Sequence, residues 1–119
     1  PDTNPAVIAA TKAQGMLSYP GVFTATECLT ALRHGADGLK LFPAFKLGVD
    51  GYKALAAVLP KSVETYAVGG VGPADFAAWQ AAGINGFGLG SHLFKPDYDA
   101  TKVGHLAKEC VTAYDAAFG

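Results

Sequence analysis

The sequence predicts an α/β fold, and three observations support this prediction. Half of the 119 residues are hydrophobic and only 16% are charged, which suits a chain with a well-buried core. Short apolar strand patterns alternate with amphipathic helix patterns, at about 20–26 residues for each strand–helix unit. The connections between these patterns are short. Residues 1–119 are therefore predicted to form a single domain segment with a parallel sheet.

The predicted elements follow from capping residues, glycines and apolar spacing. Thr24 and Glu27 have the spacing of a capping box, and Asn4 before Pro5 is a further helix start. The predicted helices are Pro5 to about Gln14, Thr24 to about Arg33, Asp50 to about Leu59, Pro73 to Gly83, and about Thr101 to Phe118. The predicted strands are Met16 to Tyr19, Gly38 to Phe42, Glu64 to Val68, and Gly86 to Leu89.

Four βα units leave two architectures open at this length. One is an open doubly wound sheet. The other is part of a (β/α)8 TIM barrel, which needs roughly 200–250 residues when it is complete. Half a barrel exposes the inner face and both edges of its sheet, so the remaining strands would have to come from other sequence or another chain.

Composition limits the functional classes. The net charge is -1, so the chain lacks the excess of basic residues that is typical of nucleic-acid-binding proteins. No apolar run is long enough for a membrane span, and no signal peptide pattern is visible, so a cytoplasmic location is expected. Cys28 and Cys110 fit no metal spacing and are predicted to be thiols of the core, and no metal site is expected.

Lys40 is the residue that points most directly to chemistry. It lies between Leu39 and Leu41 in a predicted strand, and side chains alternate between the two faces of a strand. If the leucines face the helices, Lys40 and Phe42 face the interior of a barrel. Desolvation there disfavours a charged amine, and a neutral amine is the nucleophile that forms a Schiff base with a ketone. The alternative is a lysine that reaches solvent or pairs with a carboxylate.

Two glycine-containing turns follow the third and fourth predicted strands. We call Gly69-Gly70 the Gly-Gly turn and Gly90-Ser91 the Gly-Ser turn. Their backbone N–H groups can bind an anion, and phosphate sites in (β/α)8 barrels are often built after strands seven and eight. Together the turns favour a phosphate site over ordinary turn chemistry. His92 is a weaker candidate for the same anion, with a solvated histidine as the alternative.

The segment Gly38-Leu39-Lys40-Leu41-Phe42-Pro43-Ala44 resembles the Schiff-base strand of the 2-keto-3-deoxy-6-phosphogluconate and 2-keto-3-deoxy-6-phosphogalactonate aldolases. The segments that carry further similarity are Pro20-Gly21, Thr24-Ala25-Thr26-Glu27, Tyr52-Lys53-Ala54-Leu55, Val68-Gly69-Gly70-Val71 and Gly88-Leu89-Gly90-Ser91. The resemblance covers almost the whole chain, and the combination is more specific than any single motif. It implies the C-terminal half of a (β/α)8 TIM barrel.

The resemblance also implies an activity. It is that of a class I aldolase, a carbon–carbon lyase that uses no cofactor and releases pyruvate and glyceraldehyde 3-phosphate from a phosphorylated 2-keto-3-deoxy sugar acid. Lys40 matches the imine-forming lysine, Phe42 and Pro43 match the pyruvate end, and the two turns match phosphate-binding positions. Val68 stands where gluconate-type enzymes generally have threonine, which favours 2-dehydro-3-deoxy-6-phosphogalactonate over the gluconate substrate. A homotrimer is implied as well.

Two residues of the family's active site have no counterpart in the sequence. They are a glutamate that acts as general acid and base and an arginine that holds the pyruvate carboxylate. Arg33, the single arginine, lies late on a predicted helix. The N-terminal half of the barrel is thus expected to be absent, and Pro1 matches a proline at the end of the family's fourth strand. The alternatives are another phosphate-binding barrel enzyme with Lys40 as a charge clamp, and a non-enzymatic half-barrel that binds a sugar phosphate.

Overall fold

In the computed structural model, residues 2–119 form a four-stranded parallel sheet with helices packed against one face. Pro1 lies outside the described residues. The strands are β1 (Gly21–Val22), β2 (Gly38–Leu41), β3 (Glu64–Val68) and β4 (Gly86–Gly88). The helices are α1 (Pro5–Ala13), α2 (Ala25–Arg33), α3 (Ala44–Ala56), α4 (Phe76–Ala81) and α5 (Ala100–Phe118), with a 3-10 turn at Pro73–Asp75.

The strands lie in the sheet in the same order as in the chain. Each strand pairs in parallel with the next one, and a helix crosses between them. This is the arrangement of consecutive βα units in a (β/α)8 barrel, and four units make half of one. The predicted fold class is therefore confirmed.

The core lies between the sheet and the helices. Leu39, Leu41 and Ala67 are fully buried there, against helix residues that include Ile8 and Trp79. Alternation along each strand sends every second side chain into this core and the others to the opposite, inner face of the sheet. That inner face carries the residues of functional interest.

Both cysteines are buried free thiols, as the sequence predicts. Burial, with a smaller contribution from the charge of Glu27, raises the pKa of Cys28 to about 11. Burial also raises the pKa of Cys110. Among residues 2–119, no group of three His, Cys, Asp or Glu side chains is arranged to hold a metal ion. No helix in that range has the length and apolar character needed to cross a membrane.

The first predicted strand, Met16 to Tyr19, is wrong. The strand that pairs with β2 is Gly21–Val22, while Met16 and Leu17 are exposed. Ser18 is held at both of its backbone groups: its N–H donates a hydrogen bond to the Asp37 carboxylate at 2.7 Å, and its carbonyl accepts bonds from the N–H groups of Asp37 and Gly38 at 2.9 and 3.4 Å. The apolar residues Met16 and Leu17 therefore resemble a strand in the sequence, although the strand itself begins later, at Gly21.

The helix predicted from Asp50 is longer at its N-terminal end. Helix α3 begins at Ala44, directly after Pro43, and is interrupted at Gly48, whose φ of 70° is not helical. Asp50 lies two residues after this break, in the first turn of the second part of α3, so the predicted start is close but Asp50 is not the cap. The other predicted elements match the structure to within one to three residues at each end.

The capping box at the start of α2 is confirmed. One oxygen of Glu27 accepts hydrogen bonds from the N–H groups of Phe23 and Thr24 at 2.7 and 2.8 Å. The Thr24 hydroxyl oxygen accepts one from the Glu27 N–H at 3.2 Å. The two backbone hydrogen bonds are the main reason that the pKa of Glu27 lies below its usual value of 4.5.

This lowered pKa gives a pH prediction. The carboxylate form is favoured in the folded chain, so its contribution to stability is present above the unfolded pKa and is lost as the pH falls through the folded pKa. We expect the unaltered chain to lose stability between about pH 5 and pH 3 more steeply than Glu27→Gln. Urea unfolding at several pH values measures this, with Glu109→Gln on α5 as the control. Parallel curves for the unaltered chain and Glu27→Gln would contradict the prediction.

Candidate active site

Lys40 lies in the middle of the inner face. Its neighbours in the chain, Leu39 and Leu41, are fully buried against the helices, so alternation turns Lys40 the other way. In the register of the sheet it lies between Gly21 of β1 and Tyr66 of β3. Lys40 is half-buried and lines a hollow of about 360 Å³ on the inner face, which we call the lysine hollow.

Two tyrosines form one wall of the lysine hollow. The rings of Tyr19 and Tyr66 meet edge to face, with 5.5 Å between their centroids. The Tyr66 hydroxyl donates a hydrogen bond to the carboxylate of Glu64 at 2.8 Å, and this bond raises the pKa of Tyr66 to about 12. Tyr66 is therefore a neutral hydroxyl at neutral pH. Tyr66 is not among the site residues predicted from the sequence, although alternation along the third predicted strand places it on the same face as Val68.

Phe42 separates Lys40 from the Gly-Gly turn. The Nζ of Lys40 lies 4.6 Å from the centroid of the Phe42 ring. The same ring borders the turn so closely that a Cβ added to Gly69 would be 3.0 Å from it. One aromatic ring therefore spans the distance between the amine and the turn.

The Gly-Gly turn needs both of its glycines. Gly69 and Gly70 have φ angles of 93° and 69°, in the left-handed region that other residues rarely adopt. A Cβ on Gly70 would lie 2.7 Å from the Cβ of Phe45. The carbonyl of Gly69 also accepts a hydrogen bond from the Phe45 N–H at 3.0 Å. The start of α3 thus fixes the turn against the end of β2.

A larger recess of about 840 Å³, which we call the large cleft, contains both glycine turns. The side chains of His92, Lys95 and Lys102 line it as well. The backbone N–H groups of Gly70, Ser91 and His92 donate no hydrogen bond to any of residues 2–119. Free N–H groups on two adjacent turns are suited to binding an anion.

The lysine hollow and the large cleft adjoin each other. Val68 and Gly88 line both recesses, whereas Lys40 lines only the hollow and the turns line only the cleft. The two predicted parts of the site are therefore next to each other rather than in one recess. An extended ligand can place an anionic group at the turns and a carbonyl group near Lys40.

The remaining predicted residues have clear positions. Pro43 is not among the residues that line either recess, and its Cα supports the Gly-Gly turn from below, 3.3 Å from a Cβ added to Gly69. His92 lies in the large cleft, with its ring packed over Gly72. The sequence also offers two rival amines, Lys46 in a predicted loop and Lys53 on a predicted helix. In the structure both lie on α3, so the loop prediction for Lys46 is wrong, and neither residue lines a recess.

Glycines on the inner face make room for the side chains of the lysine hollow. A Cβ on Gly38 would lie 2.7 Å from the Tyr19 ring, and one on Gly86 would lie 3.0 Å from the Tyr66 ring. A Cβ on Gly88 would lie 2.7 Å from a methyl group of Val68. Large side chains on this face therefore occupy space that the neighbouring strand leaves empty.

Replacement of a turn glycine gives a stability prediction. Gly70→Ala combines a left-handed φ with a contact to Phe45 that is too short, so we expect it to lower the free energy of unfolding by about 1–3 kcal/mol. Urea denaturation measures the change. Gly104→Ala is the matched control, because Gly104 lies within α5 with open space around it, and alanine there stabilises a helix by up to about 1 kcal/mol. Equal effects of both variants would contradict this account of the turn.

Comparisons with known proteins place the chain in a family. The family model described as KDPG and KHG aldolase matches residues 1–107. The probable 2-dehydro-3-deoxy-6-phosphogalactonate aldolase of Rhizobium meliloti (strain 1021) is 50% identical over 119 residues, which are 100% of this chain and 56% of that protein. The 2-dehydro-3-deoxy-6-phosphogalactonate aldolase of Escherichia coli (strain K12) is 42% identical over 98% of this chain and 57% of its own length.

A solved structure shows the same likeness in three dimensions. The structure described as native KDPGal superposes with a TM-score of 0.96 and 42% identity, over 98% of this chain and 57% of that one. The chain thus spans little more than half the length of the relatives that it matches. Since the family model covers most of the sequence, this chain belongs to the KDPG and KHG aldolase family.

Proposed function

We propose that this chain supplies the Schiff-base lysine and the phosphate-binding turns of a class I aldolase. The proposed reaction cleaves 2-dehydro-3-deoxy-6-phosphogalactonate to pyruvate and glyceraldehyde 3-phosphate. The observation that carries the proposal is the position of the Lys40 amine, one aromatic ring from the Gly-Gly turn. The names of the two curated relatives and the presence of Val68 before that turn support the galactonate substrate over the gluconate one.

The chemistry begins at Lys40. Its neutral amine attacks the C2 ketone of the sugar acid, and loss of water gives an iminium. The iminium accepts the electron pair of the C3–C4 bond when a base removes the proton of the C4 hydroxyl. Glyceraldehyde 3-phosphate leaves, and the remaining enamine is protonated at C3. Hydrolysis of the new imine then releases pyruvate and regenerates the amine, so the mechanism uses the lysine itself as electron sink.

The phosphate end of the substrate orients the reacting carbons. In the proposal it lies at the free N–H groups of the Gly-Gly and Gly-Ser turns, while C2 lies in the lysine hollow. Phe42 and Val68 lie between the two ends and offer apolar surface to the carbon chain. Binding energy from a remote phosphate is thereby used to hold the C2 carbon near the amine.

The general base is assigned to the other half of the barrel. The family resemblance implies a glutamate for this role and an arginine that holds the pyruvate carboxylate. In the family, both residues belong to the N-terminal part of the barrel, before the part that this chain resembles. The chain spans 56% of the relative from Rhizobium meliloti, which leaves room for these elements. A homotrimer located in the cytoplasm is part of the same proposal and is supported by the resemblance.

Reductive trapping tests the role of Lys40. We expect incubation with pyruvate and sodium borohydride to give one stable adduct, because borohydride reduces the imine to a secondary amine. Intact mass and peptide mapping locate it, and we expect it on Lys40 and not on Lys46 or Lys53. Lys40→Ala should lose the adduct completely, whereas the matched control Lys53→Ala should keep it.

A fusion to the N-terminal half of the Rhizobium meliloti relative extends the test. An adduct on Lys40 in either protein supports the Schiff-base role. If the adduct appears only in the fusion, the missing half is needed to activate the amine. If neither protein carries an adduct on Lys40, the aldolase proposal is wrong.

A further inference from the structure

Two lysines of the large cleft have no role in the function proposed above. Lys95 and Lys102 line the cleft together with both glycine turns. The ring of Tyr98 lies beside both ammonium groups, with its centroid 4.2 Å from the Nζ of Lys102 and 5.8 Å from that of Lys95. Neither ammonium group forms an ion pair with a carboxylate among residues 2–119. Two unpaired cations therefore stand at the wall of a cleft that offers free N–H groups.

The backbone fixes these lysines relative to the Gly-Ser turn. The N–H of Phe94 donates a hydrogen bond to the Gly90 carbonyl at 3.0 Å, and the N–H of Tyr98 donates one to the Lys95 carbonyl at 3.0 Å. The carboxylate of Asp99 then caps α5 by accepting a hydrogen bond from the Lys102 N–H at 2.8 Å. Successive turns thus connect the Gly-Ser turn to the first turn of α5, and both lysines are carried on this segment.

Lys95 and Lys102 bring two positive charges to the lining of the large cleft, although the whole chain is slightly acidic. Asp75 is the acidic residue among the described residues that line the cleft. Its carboxylate already accepts a hydrogen bond from the Gly72 N–H at 2.9 Å. The lining itself thus carries two ammonium groups and one carboxylate, a net positive charge that attracts anions. Asp97 and Asp99 are neighbours of these lysines in the chain but do not line the cleft.

We propose that Lys95 and Lys102, held by Tyr98, bind the phosphate dianion at the glycine turns and make the cleft selective for phosphorylated ligands. Backbone N–H groups orient an anion but carry no net charge. The two ammonium groups supply the charge that distinguishes a phosphate monoester from a hydroxyl group at the same position. This inference rests on the proposed function, since it assigns further residues to the phosphate end of that substrate.

Binding of glycerol 3-phosphate to this chain tests the inference, by calorimetry or by amide chemical shifts. Lys95→Met and Lys102→Met should each raise the Kd by about twofold to fivefold, and the double variant by about tenfold. The salt dependence of the Kd should become shallower in each variant, because fewer charges face the ligand. Lys108→Met, also on α5 but outside the cleft, is the matched control and should bind as the unaltered chain does.

Arginine variants separate charge from packing. Lys95→Arg and Lys102→Arg keep the charge, and arginine also binds phosphate and stacks on aromatic rings, so each should bind glycerol 3-phosphate more tightly than the corresponding methionine variant. The inference is overturned if the methionine variants bind and respond to salt as Lys108→Met does. It is also overturned if the unaltered chain shows no saturable binding. Pyruvate carries no phosphate, so borohydride trapping on the unaltered chain and on the fusion decides the proposed function independently of either result.

Discussion

The burial of Leu39 and Leu41 on one side of β2 is the constraint on which the site depends. Both leucines are fully buried against the helices, and the pleat of the strand then leaves Lys40 no direction but the inner face. Helix packing therefore decides the orientation of the Lys40 amine. The parallel register extends this effect, since it sets Tyr66 of β3 beside the lysine.

Phe42 also limits the position of the glycine turns at the other end of the site. It follows β2 directly, its ring is close to the Lys40 amine, and the ring also fills the space that Gly69 leaves open. The Gly-Gly turn cannot move toward β2 without meeting this ring. The separation between the amine and the free N–H groups is consequently fixed by a side chain and not by a flexible loop.

Much of this arrangement was predictable from the sequence, because alternation, capping boxes and turn glycines are local signals. The signals failed where a longer-range contact decided the outcome. The Ser18 N–H bonds the carboxylate of Asp37, distant in sequence, while Met16 and Leu17 lie exposed before the first strand. Tertiary packing also places Phe42 between the two recesses. It likewise brings the side chains of Lys95 and Lys102 to the ring of Tyr98. The periodicity of the sequence gives no information about such contacts.

The glycines of the inner face bear on how such a site changes during evolution. Gly38, Gly86 and Gly88 leave gaps that Tyr19, Tyr66 and Val68 fill from the adjacent chain segments. The size and shape of the lysine hollow are therefore set by a few side chains, whereas the backbone ladder beneath them stays constant. Exchange of one such side chain alters the space available to a substrate without any strand having to shift. A sheet built in this way lets selection vary the space beside the amine while the amine and the glycine turns keep their places.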